Sequence, residues 1–187
     1  MRCPWKNKLQ WLVLTMFTFL SCSKERKEVL IEMSGRLSVD QENFKAAINL
    51  LNEMQNLEYL SYENGKYTVW IKKDALDLET FYDLELEEVS DLEAIRKNRI
   101  KKSQIERLKF LLEELNCIGI RTYLRLDDKS LPFESINFLY LRHDLGGYYF
   151  HFYKSKATAK DKLRLEKSGM GSFLNDSVAV YYHRSVF

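Results

Sequence analysis

The chain has 187 residues, 45% of them hydrophobic and 30% charged, with 29 Lys and Arg against 27 Asp and Glu, a formal net charge of +2. So even a balance lacks the concentrated cationic surface that nucleic-acid binding demands, and no nucleic-acid partner is expected. The length suits one domain with a sizeable core, and no repeat or low-complexity segment interrupts it.

The first residues have the three parts of an export signal. Arg2, Lys6 and Lys8 give a cationic start, Leu9 to Leu20 an apolar stretch, and Ser21 a small residue at its border. About 20 helical residues are needed to cross a hydrocarbon core of ~30 Å, so this stretch is too short for a permanent span. Phe19-Leu20-Ser21-Cys22 resembles the lipobox of bacterial lipoprotein precursors, with Ser21 and Cys22 matching the pattern and Phe19 and Leu20 bulkier than usual. The resemblance covers the first 22 residues. It implies that the Cys22 sulfur takes a diacylglyceryl group, that the signal is cut before Cys22, and that the new amino group is acylated. Two or more chains anchor a protein stably, at about 0.8 kcal/mol per buried CH₂. Ser23 after the cysteine implies sorting to the outer membrane rather than retention in the inner one.

Removal of residues 1–21 takes three of the 29 bases and no acid, leaving a mature chain close to neutrality. Cys3 leaves with the signal and Cys22 carries lipid, so Cys117 has no partner for an internal disulfide. Its apolar neighbours Leu115 and Ile118 mark it as a small buried hydrophobe rather than a nucleophile.

Residues 22–36 read as the lipidated cysteine and a tether, and 37–187 as one domain. From Asp40, the spacing of Phe44, Ala47, Ile48, Leu51 and Met54 predicts a helix, with Ser38 or Asp40 as its N-cap. In residues 59–71, Asn64-Gly65 sits between two alternating runs and supplies the positive φ pair of a type I′ hairpin. Residues 74–93 then hold nine acids and no base, with Arg96, Lys97, Arg99, Lys101 and Lys102 following. A pair of solvated helices accounts for this segregation better than a site for a cationic partner or Ca²⁺, because EF-hand spacing is missing. Ser103 and Glu106 have capping-box spacing, and Ile105, Leu108, Leu112 and Leu115 form an apolar face that ends near Gly119.

The last third alternates as strands over 120–126, 136–142, 148–154 and 178–183, with a short helix over 157–167. The expected fold is α+β, a largely antiparallel sheet of about five to six strands packed with two to four helices. An even loop at Gly146-Gly147 places Leu139, Leu141 and His143 on one face with Tyr148, Phe150 and Phe152. Phe138, Tyr140 and Arg142 then share the other with Tyr149, His151 and Tyr153. With Arg121 and Tyr123 added from the preceding strand, the second set makes a face bearing Tyr, Arg and His. Those residues offer rigid amphipathic area and forked donors, the composition of binding hot spots. The competing account is that the tyrosines pack under helices while the arginines snorkel.

Catalytic patterns are weaker. The three histidines lack H-x-x-x-H or H-E-x-x-H spacing, no serine sits in a G-x-S-x-G elbow, and Gly169-Met170-Gly171 lacks the third glycine of a dinucleotide fingerprint. His143-Asp144 and Asp127-Asp128 are the remaining acid–base pairs, and neighbours on a strand point to opposite faces. No cofactor or metal is expected. The sequence thus points to a lipid-anchored envelope protein that binds another protein or an envelope polymer through Arg121, Tyr123, Tyr140, Arg142, Tyr149, His151 and Tyr153. An immunity-type role is one version. The alternative is a small envelope hydrolase acting on glycan or peptide, with His143 or His151 as general base.

Overall fold

The structure, a computed structural model, describes residues 26–73, 77–123, 135–143 and 146–184, with the side chains of Tyr123, His143 and Arg184 outside that description. The signal segment, Cys22 and Asp127-Asp128 therefore lie outside the described residues. The elements, in order, are α1 (26–39), α2 (Gln41–Glu53), β1 (Leu57–Glu63), β2 (Lys66–Lys72), β3 (Leu78–Leu84), α3 (Leu86–Asp91), α4 (Glu93–Lys97) and α5 (Lys102–Glu114). They continue as β4 (Gly119–Tyr123), β5 (Ser135–His143), β6 (Gly146–Tyr153), α6 (Ala159–Ser168), β7 (Gly171–Phe173) and β8 (Val178–Arg184).

All eight strands form one antiparallel sheet in the order β3-β2-β1-β4-β5-β6-β8-β7. The α+β class holds, but the eight strands and six helices among the described residues exceed the expected numbers. Two strands account for the excess in the sheet. β3 comes from the acid-rich stretch that reads as helix, where Glu79 and Asp83 mask the alternation of a solvated edge. β7 has three residues, too short to leave a periodic signal.

One face carries the main core. Leu60, Val69, Ile71, Ile120, Phe138, Phe150 and Val180 point to it, and Met33 of α1, Phe44 and Leu51 of α2, Ile95 of α4 and Leu108 and Leu112 of α5 cover it. Phe44 is the central contact, its ring 4.9 Å from Phe138, 4.9 Å from Phe150 and 5.1 Å from Phe152. Residues 26–39 form a helix where the sequence reads as tether, because Val29, Leu30, Met33 and Leu37 recur at helical spacing and bury against this core. Asn64 and Gly65 take φ of 52° and 81°, as the hairpin turn requires. At the end of α5, Asn116 rather than Gly119 takes the left-handed position, φ 52°. The Cys117 N–H reaches the Leu112 carbonyl at 2.7 Å and the Asn116 N–H that of Glu113 at 2.9 Å, a Schellman closure. Gly119 instead opens β4, where a Cβ would lie 2.8 Å from Ser61 Cβ.

Candidate functional site

The opposite face of the sheet is organised by register. One row runs Thr80, Trp70, Tyr59, Arg121, Asn137, His151, Ala179 and Phe173 across β3, β2, β1, β4, β5, β6, β8 and β7. The next runs Thr68, Ser61, Gly119, Leu139, Tyr149, Tyr181 and Gly171. Helix α6 lies over one end, where its Leu165 packs with Tyr153, Ala179, Phe173 and Tyr181. Toward the other edge, Tyr59 and Trp70 belong to neither packed cluster, and Leu78 and Tyr82 of β3 are 43% and 60% exposed.

Of the seven residues expected to share a face, Arg121, Arg142, Tyr149, His151 and Tyr153 lie on this one, and Tyr123 takes a register position on it opposite Ser135. Tyr140 does not. The hairpin loop is even, with His143 opposite Gly146, but Leu141 pairs with Tyr148 and Leu139 with Tyr149, leaving Tyr140 as the extra residue of a β-bulge. The slip turns Phe138 and Tyr140 to the core and Leu139 to the Tyr/Arg face, reversing their expected sides. Tyr140 is 7% exposed, and its hydroxyl donates to Glu32 Oε1 at 2.6 Å. That bond is the main reason the Glu32 carboxyl is held below its ordinary range.

Around Tyr149 the polar groups of the face converge. Burial raises the Tyr149 phenol, and the Tyr59 hydroxyl adds to the rise while Arg142 and Arg121 oppose it. Arg142 grips a carboxylate, Nε donating to Glu63 Oε1 at 2.9 Å and Nη2 to Oε2 at 2.9 Å, which raises its own pKa and fixes its charge. Arg121 stacks over Trp70 at 4.6 Å, and Tyr59 meets the same indole at 4.7 Å. His183, at the β8 end of the face, is held below the ordinary histidine range by burial, with the Arg121 charge adding to it.

His151 sits among Tyr149 (6.0 Å), Tyr153 (5.9 Å) and Tyr181 (5.5 Å). Its Nε2 is buried and meets no hydrogen-bond partner, and burial pushes its pKa down to about 3. An imidazole so poised stays neutral and is a poor proton acceptor at neutral pH, which argues against it as a hydrolytic base. Trp70 Nε1 is likewise buried without a partner. An open groove of about 380 Å³ beside β3 is lined by Glu79, Thr80, Phe81, Leu92, Glu93 and Ala94 and holds carboxylates but no histidine. Among the described residues, no three His, Cys, Asp or Glu side chains gather as a metal site would require. Cys117 is buried and its thiol is raised far above the ordinary range by desolvation, so it is not a nucleophile.

Tyr59, Trp70 and Tyr82 are the face residues that sequence reasoning missed. Hairpin parity pairs Tyr59 with Trp70, but nothing local shows that β1 lies beside β4. No family model, curated protein or solved structure matches the chain.

Proposed function

We propose that the protein is a lipid-anchored bacterial envelope protein that binds a partner, another protein or an envelope polymer, through the Tyr/Arg/Trp face of its sheet. The observation that supports this most is a half-buried aromatic row on that face. Trp70, Tyr59 and Arg121 stand in one stacked row outside both packed clusters, while helices bury the other side of the same strands. Rigid aromatic area beside a forked cation is the composition of binding hot spots, and it has no stabilising task in the core. The anchor at Cys22 belongs to the same reading. An immunity-type protein, blocking a toxin at the membrane, is one form such a binder takes.

The test is affinity capture from native envelopes with the full chain as bait. Arg121→Ala combined with Tyr149→Phe is expected to weaken capture about 30-fold, the loss of roughly 2 kcal/mol at a hot spot. Tyr140→Phe, on the core face, is expected to leave capture intact. Capture that survives the first pair, with circular dichroism showing both variants folded, refutes the assignment.

A further inference from the structure

Helix α6 carries a net cationic excess. In α1, α2, α4 and α5 a cation is held to a glutamate about one turn away: Arg36 to Glu32 (3.3 Å), Lys45 to Glu42 (2.8 Å), Lys97 to Glu93 (2.8 Å) and Lys109 to Glu113 (3.2 Å). In and just before α6, residues 154–168 hold six cations against two acids, a net of +4. Lys162 is paired with Asp176 at 2.6 Å, and Asp161 is occupied in the capping box with Thr158. The outward side of the helix is cationic. Lys160, Leu163, Arg164 and Lys167 fall at i, i+3, i+4 and i+7, all exposed, with Leu163 51% exposed among the cations. No acid lies in that stripe, and Lys160 and Lys167 make no ion pair among the described residues.

The place of the stripe gives it meaning. Arg26, the first described residue, stacks on Tyr182 at 4.6 Å, and its Nη1 donates to Met170 Sδ at 3.6 Å. Met170 follows the end of α6 by two residues. Cys22 is four residues before Arg26, so at ~3.3–3.6 Å per residue it is within roughly 14 Å of it, whatever the path. The proposed anchor is thus tethered within that reach of Arg26, which touches the Met170 end of α6.

We infer that the Lys160-Leu163-Arg164-Lys167 stripe of α6 is the surface on which the domain rests against anionic phospholipid headgroups, orienting it at the membrane. The inference builds on the Cys22 anchor of the proposed function. Lipid on Cys22 supplies proximity, the cations supply attraction to the anionic surface, and Leu163 enters the headgroup boundary, the combination by which a chain and a basic patch reinforce each other.

The experiment is amide hydrogen exchange on the full chain reconstituted into vesicles of phosphatidylcholine, with and without phosphatidylglycerol. Each cation near an anionic surface contributes about a fivefold preference, so exchange across 159–168 is expected to slow at least about tenfold on the anionic vesicles. Combined Lys160→Gln, Arg164→Gln and Lys167→Gln is expected to remove the slowing while the exchange of β5 and β6 is unchanged. Equal exchange on both vesicles overturns the inference, as does slowing that survives the triple substitution. Slowing caused by an added envelope protein and not by lipid also overturns it, assigning the stripe to that protein. The mass of the N-terminal peptide reads Cys22 acylation separately. Acylated Cys22 without slowing sinks the docking alone, and slowing with an unmodified thiol sinks the anchor alone.

Discussion

Replacing His151 with Phe should stabilise the protein, and by more at pH 5 than at pH 7. Phe suits a site whose walls are the rings of Tyr149, Tyr153 and Tyr181, and it removes a buried Nε2 that has no partner. An unsatisfied buried polar group costs about 1–3 kcal/mol, which sets the gain at pH 7. The pH term adds to it. Native His151 is neutral down to about pH 3, whereas an unfolded histidine, with pKa ~6.5, takes up its proton below that value. The unfolded state thus binds more protons between these values, and stability falls as pH drops from about 6.5 toward about 3. Between pH 7 and pH 5 the loss is about 2 kcal/mol, and the Phe variant escapes it. His183 is depressed in the same direction, but it is present in both proteins and largely cancels in the difference. Urea unfolding of both proteins at the two pH values measures that gap. A gap that does not widen at pH 5 refutes the claim that His151 is held neutral by burial.

Phe44→Ala should cost about 3–5 kcal/mol in the same assay, because its ring is 1% exposed and touches Phe138, Phe150 and Phe152. A loss below about 1 kcal/mol would mean that α2 does not clamp the sheet. Changing Asn64-Gly65 to Ala-Ala should cost about 2 kcal/mol of stability through backbone strain alone, and so lower the melting point, since nothing lies within 4 Å of a Cβ at Gly65. An unaltered melting curve would reject the positive-φ turn.

The parts of the fold that were legible in the sequence are those written locally. Asn64-Gly65 fixes a hairpin by its φ requirements, and the spacing from Phe44 to Met54 fixes a helix face. Sheet order is different in kind. β1 has β4 as its second neighbour only because the chain returns after three helices, and no residue in 57–63 encodes that partner. The site was legible to the same extent. Parity put Tyr149, His151 and Tyr153 on one side correctly, but a single inserted residue at Tyr140 reversed the side of the residues before it, and a bulge leaves no mark in an alternating apolar run. Tyr59 and Trp70 became part of the site only once the order of strands was known.

Charge segregation along the sequence takes a different meaning in space. The acids of 77–93 lie on β3, α3 and α4 at one edge of the sheet, and the cations of 154–167 lie at the other, by α6 and β7. Eight strands at ~4.8 Å put those edges about 34 Å apart, several times the Debye length of about 8 Å at physiological salt. Neither edge then feels the other. The acidic edge is moreover largely answered by its neighbours, Lys73 on Glu79 at 3.5 Å, Lys97 on Glu93 at 2.8 Å, Lys102 on Glu87 at 2.9 Å and Lys66 on Glu85. A near-neutral domain can therefore carry a locally cationic helix whose field its distant acids do not cancel, and net charge is a poor guide to the local charge of its surfaces.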